Sequence, residues 1–223
     1  MASIHIEALT PDMAPQACRV LAQAFVTNPL NAAAFGPSQL VRNEAFFRVG
    51  LAAMRGTKLV ATDGSQILGL IHWVHSPVCQ FTGLEQLLMA PAMVKGVGLG
   101  PALRVASWQS RWSKHDPSRP HVHLGPLGVS PQAQGQHIGH RLMERYCEAL
   151  DHSGEAGYLE TDRAENVTFY RRFGFEVTDE VMVLGITNYL MWRKAPAPRG
   201  QETQDGPWSG WSHRSAGLRP PFS

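Results

Sequence analysis

Val129-Ser130-Pro131-Gln132-Ala133-Gln134-Gly135-Gln136-His137-Ile138-Gly139-His140-Arg141-Leu142 joins a strand-like run, Leu124 to Val129, to an amphipathic helical pattern through a turn dense in Gln and Gly. Such a turn aims several backbone N–H groups and the positive end of a helix at one place. That geometry suits a phosphate or pyrophosphate. The helix expected from about His137 to Asp151 repeats Ile138, Leu142, Tyr146 and Leu150 on one face, with Met143 and Cys147 beside them.

Outward from this stretch, the strand extends back to His121. Gly125, Pro126 and Gly128 lie inside it, and residues of that kind mark a bulge or a splay. On the amino-terminal side, Ile4 to Leu9 reads as a strand and Thr10 to Phe25 as a helix ended by Asn28-Pro29. A second helix is expected from Pro37 to Met54. Lys58 to Thr62 and Ile67 to His75 form a hairpin around Asp63-Gly64. Val78 to Trp112 is mostly apolar and helical, with a break at Gly96 to Pro101, and Ser113 to Pro120 is a polar loop. On the carboxy-terminal side, Tyr158 to Thr161 is a strand and Glu165 to Arg172 a short helix closed by Gly174. Phe175 to Leu184 and Thr187 to Arg193 pair as a hairpin. The order predicts an α/β (α+β) domain over residues 1–194, with a mixed sheet flanked by helices. From Ala195 to Ser223 the chain is a Pro/Gly/Ser-rich tail, with Trp208, Trp211 and Phe222 as its only large apolar groups.

The 223 residues are 43% hydrophobic and only 17% charged, enough for a real core and unlike a disordered chain. The formal net charge is +2, with no run of five like charges, which argues against a dedicated nucleic-acid binder. No apolar run has the length of a membrane span, and no signal-like segment opens the chain, so a cytoplasmic location is expected. Cys18, Cys79 and Cys147 are scattered, with no CxxC pair. They are expected to be reduced, buried apolar residues, and no metal site is expected.

A second cassette follows the first: Tyr158-Leu159-Glu160-Thr161, then Asn166, then Phe169-Tyr170-Arg171-Arg172-Phe173-Gly174-Phe175. Together the two resemble the acyl-CoA-binding core of the GNAT acetyltransferase superfamily. That family shows Gln or Arg, two residues, Gly, one residue, then Gly or Ala. Gln134, Gly135, Gln136, His137, Ile138 and Gly139 take those places, with His137 standing where the family prefers glycine. Glycine there lets the backbone approach a pyrophosphate; histidine adds bulk, and when protonated a positive charge. Gly128-Val129-Ser130-Pro131, Leu159-Glu160-Thr161 and Ala24-Phe25 with Pro29 are similar to the puromycin N-acetyltransferase branch.

The resemblance implies a mostly antiparallel GNAT-type sheet whose two central strands splay apart. It implies acetyl-CoA as cofactor, held by the backbone of Leu127, Gly128 and Val129, by the turn Gln134, Gly135, Gln136, His137, Ile138, Gly139 and His140, and by Asn166 and Tyr170. Tyr170 would stand near the CoA sulfur as general acid. A phenol of pKa about 10 can protonate a leaving thiolate whose parent pKa is roughly 8.5. Backbone N–H groups freed by the splay, near Gly128 or Val129, would serve the carbonyl oxygen. The acceptor would be a small-molecule primary amine attacking directly in a ternary complex, and it must lose a proton first. Glu160, His121, His123 or a water chain are candidates for that proton; His121 and His123 share a strand face. Phe169, Phe173 and Phe175 are core residues, and Trp108, Trp112 and His115 are candidates to shape the acceptor pocket. A homodimer is compatible with this picture, the terminal strand offering an edge. The alternative is a GNAT-fold acyl-CoA sensor with little catalysis.

Overall fold

The computed structural model describes residues 3–196. The expected tail therefore lies, beyond Pro196, outside the described residues. Seven strands form one sheet: β1 (His5–Ala8), β2 (Thr57–Thr62), β3 (Ile67–His75), β4 (Val122–Val129), β5 (Gly157–Thr161), β6 (Glu176–Val183) and β7 (Ile186–Arg193). Their spatial order is β1-β2-β3-β4-β5-β7-β6. Every neighbouring pair is antiparallel except β4 and β5. That pair is parallel because α6 (Ile138–Ser153) carries the chain back between them.

The strand β3 reads as an almost continuous apolar run because helices cover both faces of the sheet. Leu70 packs with Leu21, Phe47 and Leu51, from α1 (Ala14–Phe25) and α3 (Leu40–Ala53). The next residue, Ile71, faces the opposite layer, where Ile138, Leu142, Met143, Tyr146 and Leu150 of α6 are buried. The spacing-four stripe is thus core, as expected. A third cluster, around Phe35, Trp108, Tyr158 and Trp192, carries α5 (Leu99–Ser113) and α4 (Gly83–Val97) at one end of the sheet.

Asn28-Pro29 does end α1, but it also starts another helix, α2 (Pro29–Phe35). Asn28 accepts hydrogen bonds from the N–H groups of Leu30 and Asn31, both at 3.2 Å, and proline at the first helical position needs no N–H. In α4 the pair Thr82 and Glu85 forms a reciprocal capping box. The Thr-x-x-Glu signature starts the helix at Gly83, five residues later than the apolar run from Val78 suggests. The terminal strand β7 is hydrogen-bonded on both edges, to β5 and to β6. It cannot pair across a dimer; the edge strands are β1 and β6.

Strands β4 and β5 pair only at Val122 with Gly157 and His123 with Tyr158, and then part. On its other edge β4 stays paired to β3, but the register slips between Ile71–Leu127 and Trp73–Leu124. There Gly125 and Pro126 together oppose the single residue His72. Proline cannot donate to a ladder, and a Cβ on Gly125 would lie 2.3 Å from Nδ1 of His72. On the far face Gly128 lets α1 approach, since a Cβ there would lie 2.8 Å from Leu21.

Candidate active site

The gap between β4 and β5 opens into a cavity of about 210 Å³. Leu124, Gly125, Pro126 and Leu127 line it from one strand, and Glu160, Thr161 and Asp162 from the other, with Asn166 and Tyr170 of α7 (Ala164–Arg171) beyond them. The rest of the wall is largely apolar and aromatic, with Phe25, Phe46, Phe47, Phe81, Trp108 and Trp112. Among the described residues, six buried side-chain polar atoms lack a partner, on Arg55, His72, Trp108, His123, Glu160 and Arg193. All of these residues except Arg193 line this cavity. Buried polar groups are nearly always paired, so this concentration marks a place prepared for a ligand or water.

Glu160 is the central acid of the cavity. Its side chain is 2% exposed, and Oε2 accepts from His123 Nε2 at 2.8 Å. Its second oxygen, Oε1, is buried and unpartnered. Burial alone would lower the pKa of His123, but the Glu160 charge, with Asp116 and Cys79, raises it well above the histidine value. His121 is fully buried and does not line the cavity. Its Nδ1 donates to the Arg119 carbonyl at 2.9 Å, and its Nε2 faces Cys79 and Asp116. Burial would depress His121, but the bonds to Asp116 and Cys79 outweigh it and lift the group to about 9. His121 and His123 do share a face, with ring centroids 6.0 Å apart. Trp108 and Trp112 line the cavity, while His115 lies outside it, bonded to Arg111.

Tyr170 is buried among Phe169, Phe175 and the rest of the main core. Among the described residues its hydroxyl makes no hydrogen bond, although the residue lines the cavity. Burial, and then the Asp162 charge, push the phenol above its ordinary pKa, so it stays a proton donor at neutral pH. Asn166 donates from Nδ2 to Thr161 Oγ1 at 3.1 Å. Asp162 escaped the reading of the sequence. It accepts from Asn28 Nδ2 and from the Leu30 N–H, each at 2.7 Å, and so ties the start of α2 to the end of β5. His72 escaped as well: it lines the cavity and offers Nδ1 unpaired, with Nε2 bonded to the Arg55 carbonyl.

The Gln-Gly turn follows directly on the end of β4 at Val129. A single 3₁₀ turn, Pro131–Ala133, leads to Gly135 at φ +79° and His137 at φ +58°. His137 is the N-cap of α6, in the left-handed conformation, and makes no side-chain cap. The first turn of α6 therefore presents the amides of Ile138, Gly139 and His140 without intrahelical acceptors. Gln134, Gly135, Gln136 and His137 are exposed around it. The side chain of His140 turns aside, toward Glu144 and Phe173. The glycine that the family motif prefers at His137 has a backbone reason here, a positive φ.

Residues 102–177 match the family model of the acetyltransferase (GNAT) domain, and this span contains both cassettes. The sheet with its parted central strands is the GNAT fold. A Corynebacterium glutamicum structure described as histone acetyltransferase HPA2 and related acetyltransferase superposes with a TM-score of 0.65 at 21% identity, covering 88% of this chain and 99% of that one. An agmatine N-acetyltransferase superposes with a TM-score of 0.58 at 18% identity, over 85% and 99% of the two chains. A GNAT acetyltransferase from Brucella melitensis, solved with acetyl-CoA, gives 0.50 at 20% identity, over 88% and 91%. The domain and fold imply acetyl-CoA as cofactor. The residues present fit it: β4 has an edge unpaired beyond His123, α6 has a start whose first amides lack intrahelical acceptors, and a buried cavity opens at the gap.

Proposed function

We propose that the protein is an acetyl-CoA-dependent N-acetyltransferase whose acceptor is a small primary amine with an apolar, aromatic body. The observation that carries this reading is Glu160 Oε1, a buried and unpartnered carboxylate oxygen at the gap where β4 and β5 part. Acetyl-CoA, when bound, supplies an acetyl group activated as a thioester.

The chain's own groups then have distinct tasks. Leu127, Gly128 and Val129 offer the open β4 edge, whose N–H and C=O groups suit an extended amide-bearing arm. Gln134, Gly135, Gln136, His137, Ile138, Gly139 and His140 form the turn and helix start that suit a diphosphate. Asn166 holds the other side of the gap. Glu160 Oε1 accepts the proton of an incoming ammonium, because its partner oxygen is already bonded to His123. Of the candidate bases, Glu160 is favoured over His121, which is shut away from the cavity. Tyr170 holds a proton on its hydroxyl that can be given to a leaving sulfur. Attack is direct, within a ternary complex.

The aromatic wall of Phe46, Phe47, Phe81, Trp108 and Trp112 selects an acceptor with a flat apolar portion. This agrees with the likeness of the motifs to the puromycin N-acetyltransferase branch and with an aminoacyl-like amine. The test is acetyl-CoA turnover against a panel of aliphatic and aromatic primary amines, with CoA binding measured by calorimetry. Turnover that favours aromatic amines supports the reading. Tight CoA binding with no turnover across the panel would replace it by the sensor reading.

A further inference from the structure

A second cluster of chemistry-bearing residues lies against the acceptor cavity, and it meets the proposed acyl-transfer groups only through His123, which holds Glu160. Cys79, Asp116, His121 and His123 each offer one donor atom, and the four atoms lie within 4.8 Å of one another. We propose that these four residues form a four-coordinate site for a divalent transition metal of the zinc class.

The spacing fits the ion. Bonds of about 2.0–2.3 Å around tetrahedral zinc separate neighbouring ligand atoms by roughly 3.3–3.6 Å. Here Cys79 Sγ lies 3.7 Å from His121 Nε2, His121 Nε2 lies 3.7 Å from Asp116 Oδ1, and His123 Nδ1 lies 3.3 Å from Asp116 Oδ1. The ring nitrogens that face away are already fixed. His121 Nδ1 donates to the Arg119 carbonyl at 2.9 Å, and His123 Nε2 donates to Glu160 at 2.8 Å. A backbone carbonyl and a carboxylate behind the imidazoles are the usual outer partners of metal-bound histidines, and they leave the inward nitrogens free of protons. His123 is 8% exposed, and its inward Nδ1 makes no hydrogen bond. Gln80 Nε2, 3.1 Å from Asp116 Oδ1, supports the carboxylate from outside.

One sulfur, two imidazole nitrogens and one carboxylate oxygen disfavour calcium and magnesium, which take oxygen ligands. They suit zinc, or cobalt in its place. With thiolate and carboxylate both ionised, the donor set neutralises a divalent ion. Four protein ligands make a closed, structural site. It would clamp the loop after β3 (Cys79) and the loop after α5 (Asp116) to the start of β4. Those loops carry α4 and α5, and Trp108 and Trp112 of α5 line the acceptor cavity. Through His123 the ion would also fix the orientation of Glu160.

The experiment uses the full chain, purified with any affinity tag removed, and measures metal content by mass spectrometry. About one zinc per chain is expected, with Cys79→Ser and Asp116→Asn losing it and Cys147→Ser keeping it. Wild type stripped with a chelator and reloaded with cobalt should show the intense visible bands of a tetrahedral site and a thiolate-to-cobalt charge-transfer band. The cobalt spectrum needs no variant, so a poorly folding Cys79→Ser protein does not spoil the test. Absence of zinc together with no such spectrum on cobalt addition overturns the site, as does a spectrum unchanged in Cys79→Ser. Loss of the site would leave the acyl-transfer reading standing, because metal content and the cobalt spectrum are measured independently of turnover.

Discussion

His123 donates to Glu160 at 2.8 Å just beyond the last paired rung of β4 and β5, where His123 itself stands opposite Tyr158. One carboxylate oxygen is thus held by the closed part of the sheet while the other is left to the opening. A residue so placed can be anchored and still accept a proton.

Glu160→Gln keeps the shape and the His123 contact but abolishes the proton acceptor. We expect kcat to fall by about 10²–10⁴-fold with CoA affinity nearly unchanged. Steady-state kinetics beside calorimetry checks this. A loss confined to KM would assign Glu160 to binding instead.

Tyr170→Phe removes a hydroxyl that makes no hydrogen bond among the described residues, so stability should hold while kcat drops by at least about 10²-fold. Thermal unfolding and turnover are measured together. Equal rates in wild type and variant would remove Tyr170 from the chemistry.

His72 is expected to make stability depend on pH. Burial, against the pull of the Arg55 carbonyl, lowers its pKa from 6.5 to about 4. The unfolded chain therefore takes up a proton that the folded chain refuses between those values. The stability present above pH 6.5 is lost as pH falls toward 4, by up to about 3 kcal/mol. Urea unfolding of wild type and His72→Gln across this window should show a shallower slope for the variant. Parallel curves would refute the assignment.

Gly125→Ala places a methyl 2.3 Å from His72 Nδ1, at the bulge that parts the strands. A destabilisation of about 1–3 kcal/mol is expected, read as a lower denaturation midpoint. Weaker CoA binding should accompany it, because β4 must shift at the gap.

His137→Gly relieves a left-handed N-cap at φ +58°. Stability should rise by about 1 kcal/mol and CoA should bind more tightly as bulk leaves the helix start. Weaker binding at low salt would show instead that the imidazole contacts phosphate.

The boundaries of strands and helices were largely legible in the sequence, because apolar periodicity and Gly/Pro punctuation act locally. Gly125, Pro126 and Gly128 announced an interrupted strand, and the two cassettes announced a cofactor groove. Residues such as Asp162 and His72 carried no local signal, since their partners, Asn28 and Arg55, are distant in the chain. The same holds for Cys79 beside Asp116, His121 and His123, which no ligand spacing foreshadowed. Sequence by itself determined which segments fold and where the β4 strand must break, because backbone conformation and burial are settled over a few residues. Only the tertiary structure decided that β7 lies inside the sheet, that Glu160 rather than His121 faces the cavity, and that four scattered donors meet. Those relations depend on how a parallel crossover brings distant segments side by side, and no local pattern encodes that.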